Sequence, residues 1–137
     1  MATTLTRSLG FRATHRYWVP EWSAEQNRSR FGSAIEAHPH DYRCAVTVSG
    51  PFDPETDMIV ELPALDGILY EEVVQRFQGK QLDRDTPEFA EVGMLPSCEA
   101  LARYLFRRIA GRLPAGVTLE RVRVEEDPSL AAECTGL

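Results

Sequence analysis

Two stretches of strict alternation constrain this chain more than anything else in it. Leu9, Phe11, Ala13 and His15 alternate with Ser8, Gly10, Arg12 and Thr14, and His38, His40, Tyr42, Cys44, Val46 and Val48 share one parity between residues 38 and 49. A period of two with one apolar parity predicts strands that bury one face. A chain of 137 residues suits one compact domain spanning 1–137, with room for one core but not two.

The remaining segments predict how that sheet is completed. Residues 17 to 37 carry Pro20, Ser23, Asn27, Gly32 and Ser33 without sustained periodicity and read as a long loop. The turn formers from Gly50 to Asp57 followed by Met58-Ile59-Val60-Glu61-Leu62 predict a hairpin and a short third strand. Pro63 then opens a helix with Leu65, Ile68, Leu69, Val73 and Phe77 at helical spacing, closed by Gly79. Residues 80 to 96 read as a second loop. Ser97 caps a second helix striped by Leu101, Tyr104, Leu105, Ile109 and Leu113, and Val117 to Glu126 predicts a fourth strand. The expected architecture is α+β in the order strand, strand, strand, helix, helix, strand: a four-stranded antiparallel sheet with both helices on one face. Its free sheet edges invite covering by oligomerisation.

Composition excludes several function classes. A net charge of -6 argues against a general nucleic-acid binder, which needs a basic face. No apolar run is long enough to span a bilayer, and the N-terminus lacks the features of a secretory signal, so a cytoplasmic protein is expected. Cys44, Cys98 and Cys134 are widely spaced and odd in number, which favours free thiols over a disulfide framework. Fourteen of the fifteen basic residues are arginine, which suits either a small anionic ligand or a plain charged surface.

The chemistry centres on the histidines. The chain has only three, His15, His38 and His40, and all fall on the inward parity of two predicted neighbouring strands. His38 and His40 point the same way from one strand, about 6–7 Å apart at the backbone, and His15 joins them from the next. Three imidazoles suit a zinc ion with one open coordination position, the arrangement of a catalytic rather than a structural site. Any one of them alone would also fit a satisfied core position.

The surrounding residues resemble the 6-pyruvoyl-tetrahydropterin synthase family, which includes the 6-carboxy-tetrahydropterin synthases, over nearly the whole chain. The family's F-x-A-x-H stands as Phe11-Arg12-Ala13-Thr14-His15. Its Asn, Phe-Gly and H-G-H-N-Y stand as Asn27, Phe31-Gly32 and His38-Pro39-His40-Asp41-Tyr42. D-P-x-T-G-M-V-x-D-L is echoed by Asp53 to Leu62, P-T-x-E-N-L-A by Pro96 to Ala102, and V-x-V-x-E-T by Val122 to Asp127. The resemblance implies the tunnelling fold and assembly into trimers or hexamers with sites between subunits. It also implies zinc on the three histidines, and a dihydropterin substrate such as 7,8-dihydroneopterin triphosphate held by Glu126, with Ser97 beside it. A carboxylate suits that anchor because it can accept paired hydrogen bonds from the 2-amino and ring N–H groups of a pterin.

The chain departs from the family where its acid–base residues should stand. The position of the family's cysteine is Ala34, and its Leu-Asp-His reads Leu82-Asp83-Arg84, so only Asp83 of that set survives. Alanine cannot move a proton and arginine does not release one. Glu36, two residues before His38, is the candidate replacement base. Two classes of function follow: a zinc-dependent lyase with altered chemistry, or a non-catalytic homologue that binds zinc and a pterin. Asp83 and Arg84 would form an ion pair or meet a substrate phosphate.

Overall fold

A computed structural model describes residues 3–136. Strand β1 (Thr4–His15) runs antiparallel to β2 (His38–Ser49), and β2 to β3 (Thr118–Asp127). A fourth strand, β4 (Leu130–Cys134), closes a sheet of order β1-β2-β3-β4. The inward parities are those the alternation predicts. Phe11, Ala13 and His15 of β1 are buried, as are Tyr42, Cys44, Val46 and Val48 of β2 and Val122, Val124 and Glu126 of β3. A register shift between Thr47 and Val48 lets both Leu119 and Val122 face the core, although their spacing is odd.

The helical layer covers one face of the sheet. Helix α2 (Leu62–Leu69), with Pro63 in its first turn, continues through a π-helical turn (Tyr70–Val74) into α3 (Gln75–Phe77), and buries Leu65, Leu69, Val73 and Phe77. Two short helices follow, α4 (Leu82–Asp85) and α5 (Pro87–Ala90). Helix α6 (Cys98–Ala110) begins at Ser97, whose hydroxyl accepts the Ala100 N–H at 3.1 Å, and lays Leu101, Leu105 and Ile109 against β3 and β4. Between the two helical runs, Glu72 is buried and receives Arg76, Arg108 and Arg112. No helix among the described residues is long and apolar enough to cross a membrane.

The expected strand order and both expected loops are corrected, since residues 80–96 contain α4 and α5. Residues 58–62 form no strand: Met58 accepts the Asp53 N–H in a turn, Val60 tucks into the core and Leu62 already begins α2. The alternation is real, but β2 pairs with β1 on one side and β3 on the other, so no edge beside it is left to pair with. The third and fourth strands are instead β3 and β4, joined at Asp127, whose carboxylate accepts the Ser129 N–H at 2.7 Å. The loop from 17 to 37 contains a helix, α1 (Ala24–Phe31), capped by Ser23, which accepts the Gln26 N–H. Apolar periodicity is absent there because the buried residue of α1 is Asn27. Its side-chain oxygen accepts the Val19 N–H at 2.8 Å, and its amide donates to the carbonyls of Val19 and Ser23.

Candidate functional site

Antiparallel register places His15 opposite His38 and Ala13 opposite His40, so the period of two brings the three imidazoles to one end of the inner face. Ring centroids are 4.6 Å apart for His15 and His38, and 5.0 Å for His40 with each of the others. One ring nitrogen from each lies within 4.8 Å of the others. Small side-chain movements would bring all three to the roughly 2.0–2.1 Å that zinc requires of imidazole nitrogen.

Backbone carbonyls fix two of the tautomers. His15 Nδ1 is 2.8 Å from the Pro96 carbonyl oxygen and His38 Nδ1 is 2.7 Å from that of Glu36. A carbonyl only accepts, so both Nδ1 atoms carry the proton and both Nε2 atoms present a lone pair. His15 Nε2 and His40 Nε2 are buried with no hydrogen-bond partner. An orphaned buried nitrogen is costly in an ordinary core. Burial, chiefly, pushes the His15 pKa below the usual histidine value, against the opposing pull of the Pro96 carbonyl. The imidazole is therefore neutral at neutral pH, the form in which it can donate to a metal. Tyr42, stacked on Phe11 at 4.8 Å, backs the cluster with its hydroxyl 3.2 Å from His15 Nδ1.

Glu126 reaches the same place from β3. It is only 8% exposed, with Oε2 3.1 Å from His40 Nε2 but off the line of a hydrogen bond. Its other oxygen, Oε1, accepts from the Cys98 thiol at 3.3 Å. Burial first, and then the carboxylate, pushes that thiol up to about 12, so it stays protonated and donates. His40, Glu126 and Asp127 form a second grouping with donor atoms within 4.8 Å. Asp127, however, is already committed to the Ser129 amide and hydroxyl. The three histidines are the better metal set.

The other candidates make contacts of their own. Ser97 is partly buried and its hydroxyl serves as the α6 cap. Glu36 lends its backbone carbonyl to His38 while its side chain is exposed. Asp83 lies beyond Arg16, where its carboxylate accepts the Arg16 N–H at 3.1 Å and the Gln81 amide at 3.1 Å. It is held there because residues 79–81 run beside the end of β1, with the Thr14 N–H donating to the Lys80 carbonyl. With Trp18, Phe89, Met94 and Pro96 it lines a cavity of about 220 Å³. The ion pair considered for Asp83 and Arg84 does not form: Arg84 turns to its other neighbour, Asp85, at 2.8 Å, while Asp83 accepts from Arg16 and Gln81. Ala34 is partly buried and its carbonyl accepts the Tyr17 N–H; Gly32, at a φ of 59°, makes the turn that leads α1 into it. The contacts of Cys98 and of the Pro96 carbonyl were missed from the sequence, since no local pattern announces a contact between residues 98 and 126 or 15 and 96.

The family model for 6-pyruvoyl tetrahydropterin synthase matches residues 4–136. The human 6-pyruvoyl tetrahydrobiopterin synthase is 36% identical over 124 residues, 89% of this chain and 83% of the human protein. That of Drosophila melanogaster is 33% identical over 127 residues, 90% of this chain and 74% of the fly protein. The solved 6-pyruvoyl tetrahydropterin synthase of Caenorhabditis elegans superposes with a TM-score of 0.90 at 25% identity, covering 100% of this chain and 97% of the worm one.

Proposed function

The chain belongs to the 6-pyruvoyl tetrahydropterin synthase family, and from that premise we propose that it is a zinc-dependent lyase acting on a dihydropterin such as 7,8-dihydroneopterin triphosphate, with altered acid–base residues. Family membership supports a pterin-metabolising enzyme of the tetrahydropterin synthase type; the metal, the substrate and the residue roles are our reading. The observation that carries it is the convergence of three imidazoles, two with their Nε2 atoms freed by backbone carbonyls, beside a buried carboxylate.

His15, His38 and His40 would hold the ion. Bound there, zinc supplies Lewis-acid polarisation of a substrate oxygen. Glu126 would accept the paired N–H groups of the pterin ring, using lone pairs left free by Cys98. Ala34 and Arg84 cannot exchange protons with the substrate, and of the family's acid–base set only Asp83 remains, as a contributor to a neighbouring chain's site, its carboxylate accepting from Arg16 and Gln81 within its own chain. Proton removal then falls to Glu36, whose side chain is exposed and whose own carbonyl holds His38. The proposal includes one domain over residues 1–137, a homo-oligomer and a cytoplasmic setting, the last in keeping with three free thiols.

A second reading, a homologue that binds zinc and a pterin without turnover, is favoured by the same loss at positions 34 and 84. Incubation of the zinc-loaded protein with 7,8-dihydroneopterin triphosphate, with products resolved by mass spectrometry, separates the two. The lyase reading expects consumption of the dihydropterin to a product other than the 6-pyruvoyl compound, abolished in Glu36→Gln. Binding without consumption would leave the non-catalytic reading, and absence of both would refute the pair.

A further inference from the structure

The buried carboxylate of Glu126 has unequal surroundings. On the Oε2 side lies His40, at 3.1 Å but poorly aligned. On the Oε1 side lies Cys98, whose thiol donates to it at 3.3 Å. Cys98 is the first residue of α6 and is only 1% exposed. Its place is set by the Ser97 cap before it and by the packing of α6 on β3 behind it, so the thiol arrives at Glu126 on a rigid element. Among the described residues, the Cys98 thiol is the one side-chain donor hydrogen-bonded to this carboxylate.

We propose that Cys98 is a positioning residue for Glu126: its S–H···Oε1 hydrogen bond fixes the plane of the carboxylate so that the oxygens face a ligand's paired N–H donors. The inference rests on the reading of Glu126 as a pterin anchor and adds to it the group that orients that anchor. A carboxylate rotates freely about its last bond, and paired recognition needs both oxygens in one plane with the incoming N–H groups. A thiol is suited to the task. It offers a single weak proton, enough to hold Oε1 without neutralising it, and leaves each oxygen with a lone pair for the ligand. The contact joins residues 28 apart in sequence and brings α6 and β3 together at the site. Helix packing and ligand geometry are thus linked through one bond.

Two measurements test this on the full-length protein. In the unliganded protein the infrared S–H stretch of Cys98, assigned by its disappearance in Cys98→Ser, should lie below that of Cys44, whose sulfur has no hydrogen-bond partner among the described residues. It should rise in Glu126→Gln, where the acceptor loses its charge. Neopterin, a fluorescent pterin, should bind about tenfold more weakly to Cys98→Ala, the scale of one donor lost from a buried charged group. Cys98→Ser, which keeps a donor, should recover most of that loss, with zinc content unchanged in both variants. Equal neopterin affinity in the unmodified protein and Cys98→Ala would overturn the proposal, as would a serine variant no better than the alanine one. An S–H band unmoved in Glu126→Gln would overturn it independently of any ligand. No neopterin binding by the unmodified protein would overturn the pterin reading itself, and this role with it.

Discussion

Glu72→Gln should destabilise the fold in a way that depends on pH. The carboxylate is buried in the π-helical turn and accepts Arg76 Nη2 at 3.0 Å, Arg108 at 3.1 Å through both of its oxygens, and Arg112 at 3.3 Å. Burial alone would raise its pKa, but the Arg108 and Arg76 hydrogen bonds outweigh it and hold the group at about 2, against an ordinary 4.5. That difference corresponds to roughly 3 kcal/mol of stabilisation at neutral pH. It is an upper bound, because Arg108 is 49% exposed and Arg112 35%, so part of their attraction is screened by water. Glutamine keeps the size and one acceptor and removes the charge, so about 1.5–2.5 kcal/mol should be lost at pH 7. The folded-state pKa is depressed, so the contribution is complete above about pH 4.5 and disappears as pH falls through 2. Urea unfolding of both proteins from pH 7 to pH 2 should show two stability curves that are parallel above pH 5 and converge toward pH 2. A gap under about 0.5 kcal/mol at pH 7, or one that does not narrow in acid, would refute the reasoning.

Glu126→Ala should abolish pterin binding while leaving zinc in place, since the metal set does not include it; titration calorimetry with neopterin and elemental analysis on the same sample check both halves. Light scattering at micromolar concentration should report a trimer or hexamer, because β4 and all but the end of β1 leave one edge unpaired, and a monomer would remove any role for Asp83 in a neighbour's site.

The sheet was legible because alternation is a property of the chain itself. His15 and His38 fall opposite each other for the same reason that Phe11 falls opposite Tyr42: one register fixes every pair along the two strands. The metal candidates could therefore be read from the sequence, and so could Glu126, two residues beyond Val124 on the buried parity. Where pattern failed, the reason was tertiary. Residues 58–62 alternate correctly, but the β2 edge they would pair with is taken by β3, which no local window can reveal. Helix α1 is built around a polar residue, Asn27, so a search for apolar periodicity passes over it, although Ser23 and Gln26 carry a cap signal at its start. The contacts that tune the site, Cys98 to Glu126 and Pro96 to His15, span 28 and 81 residues and follow from how α6 docks.

Zinc stoichiometry tests the central claim most directly. Elemental analysis of protein purified without chelator, beside the His38→Ala/His40→Ala variant, should give about one zinc per chain in the first and none in the second, with X-ray absorption showing nitrogen and oxygen ligation and no sulfur. Metal-free unmodified protein after zinc addition and dialysis, or full occupancy in the double variant, would contradict it.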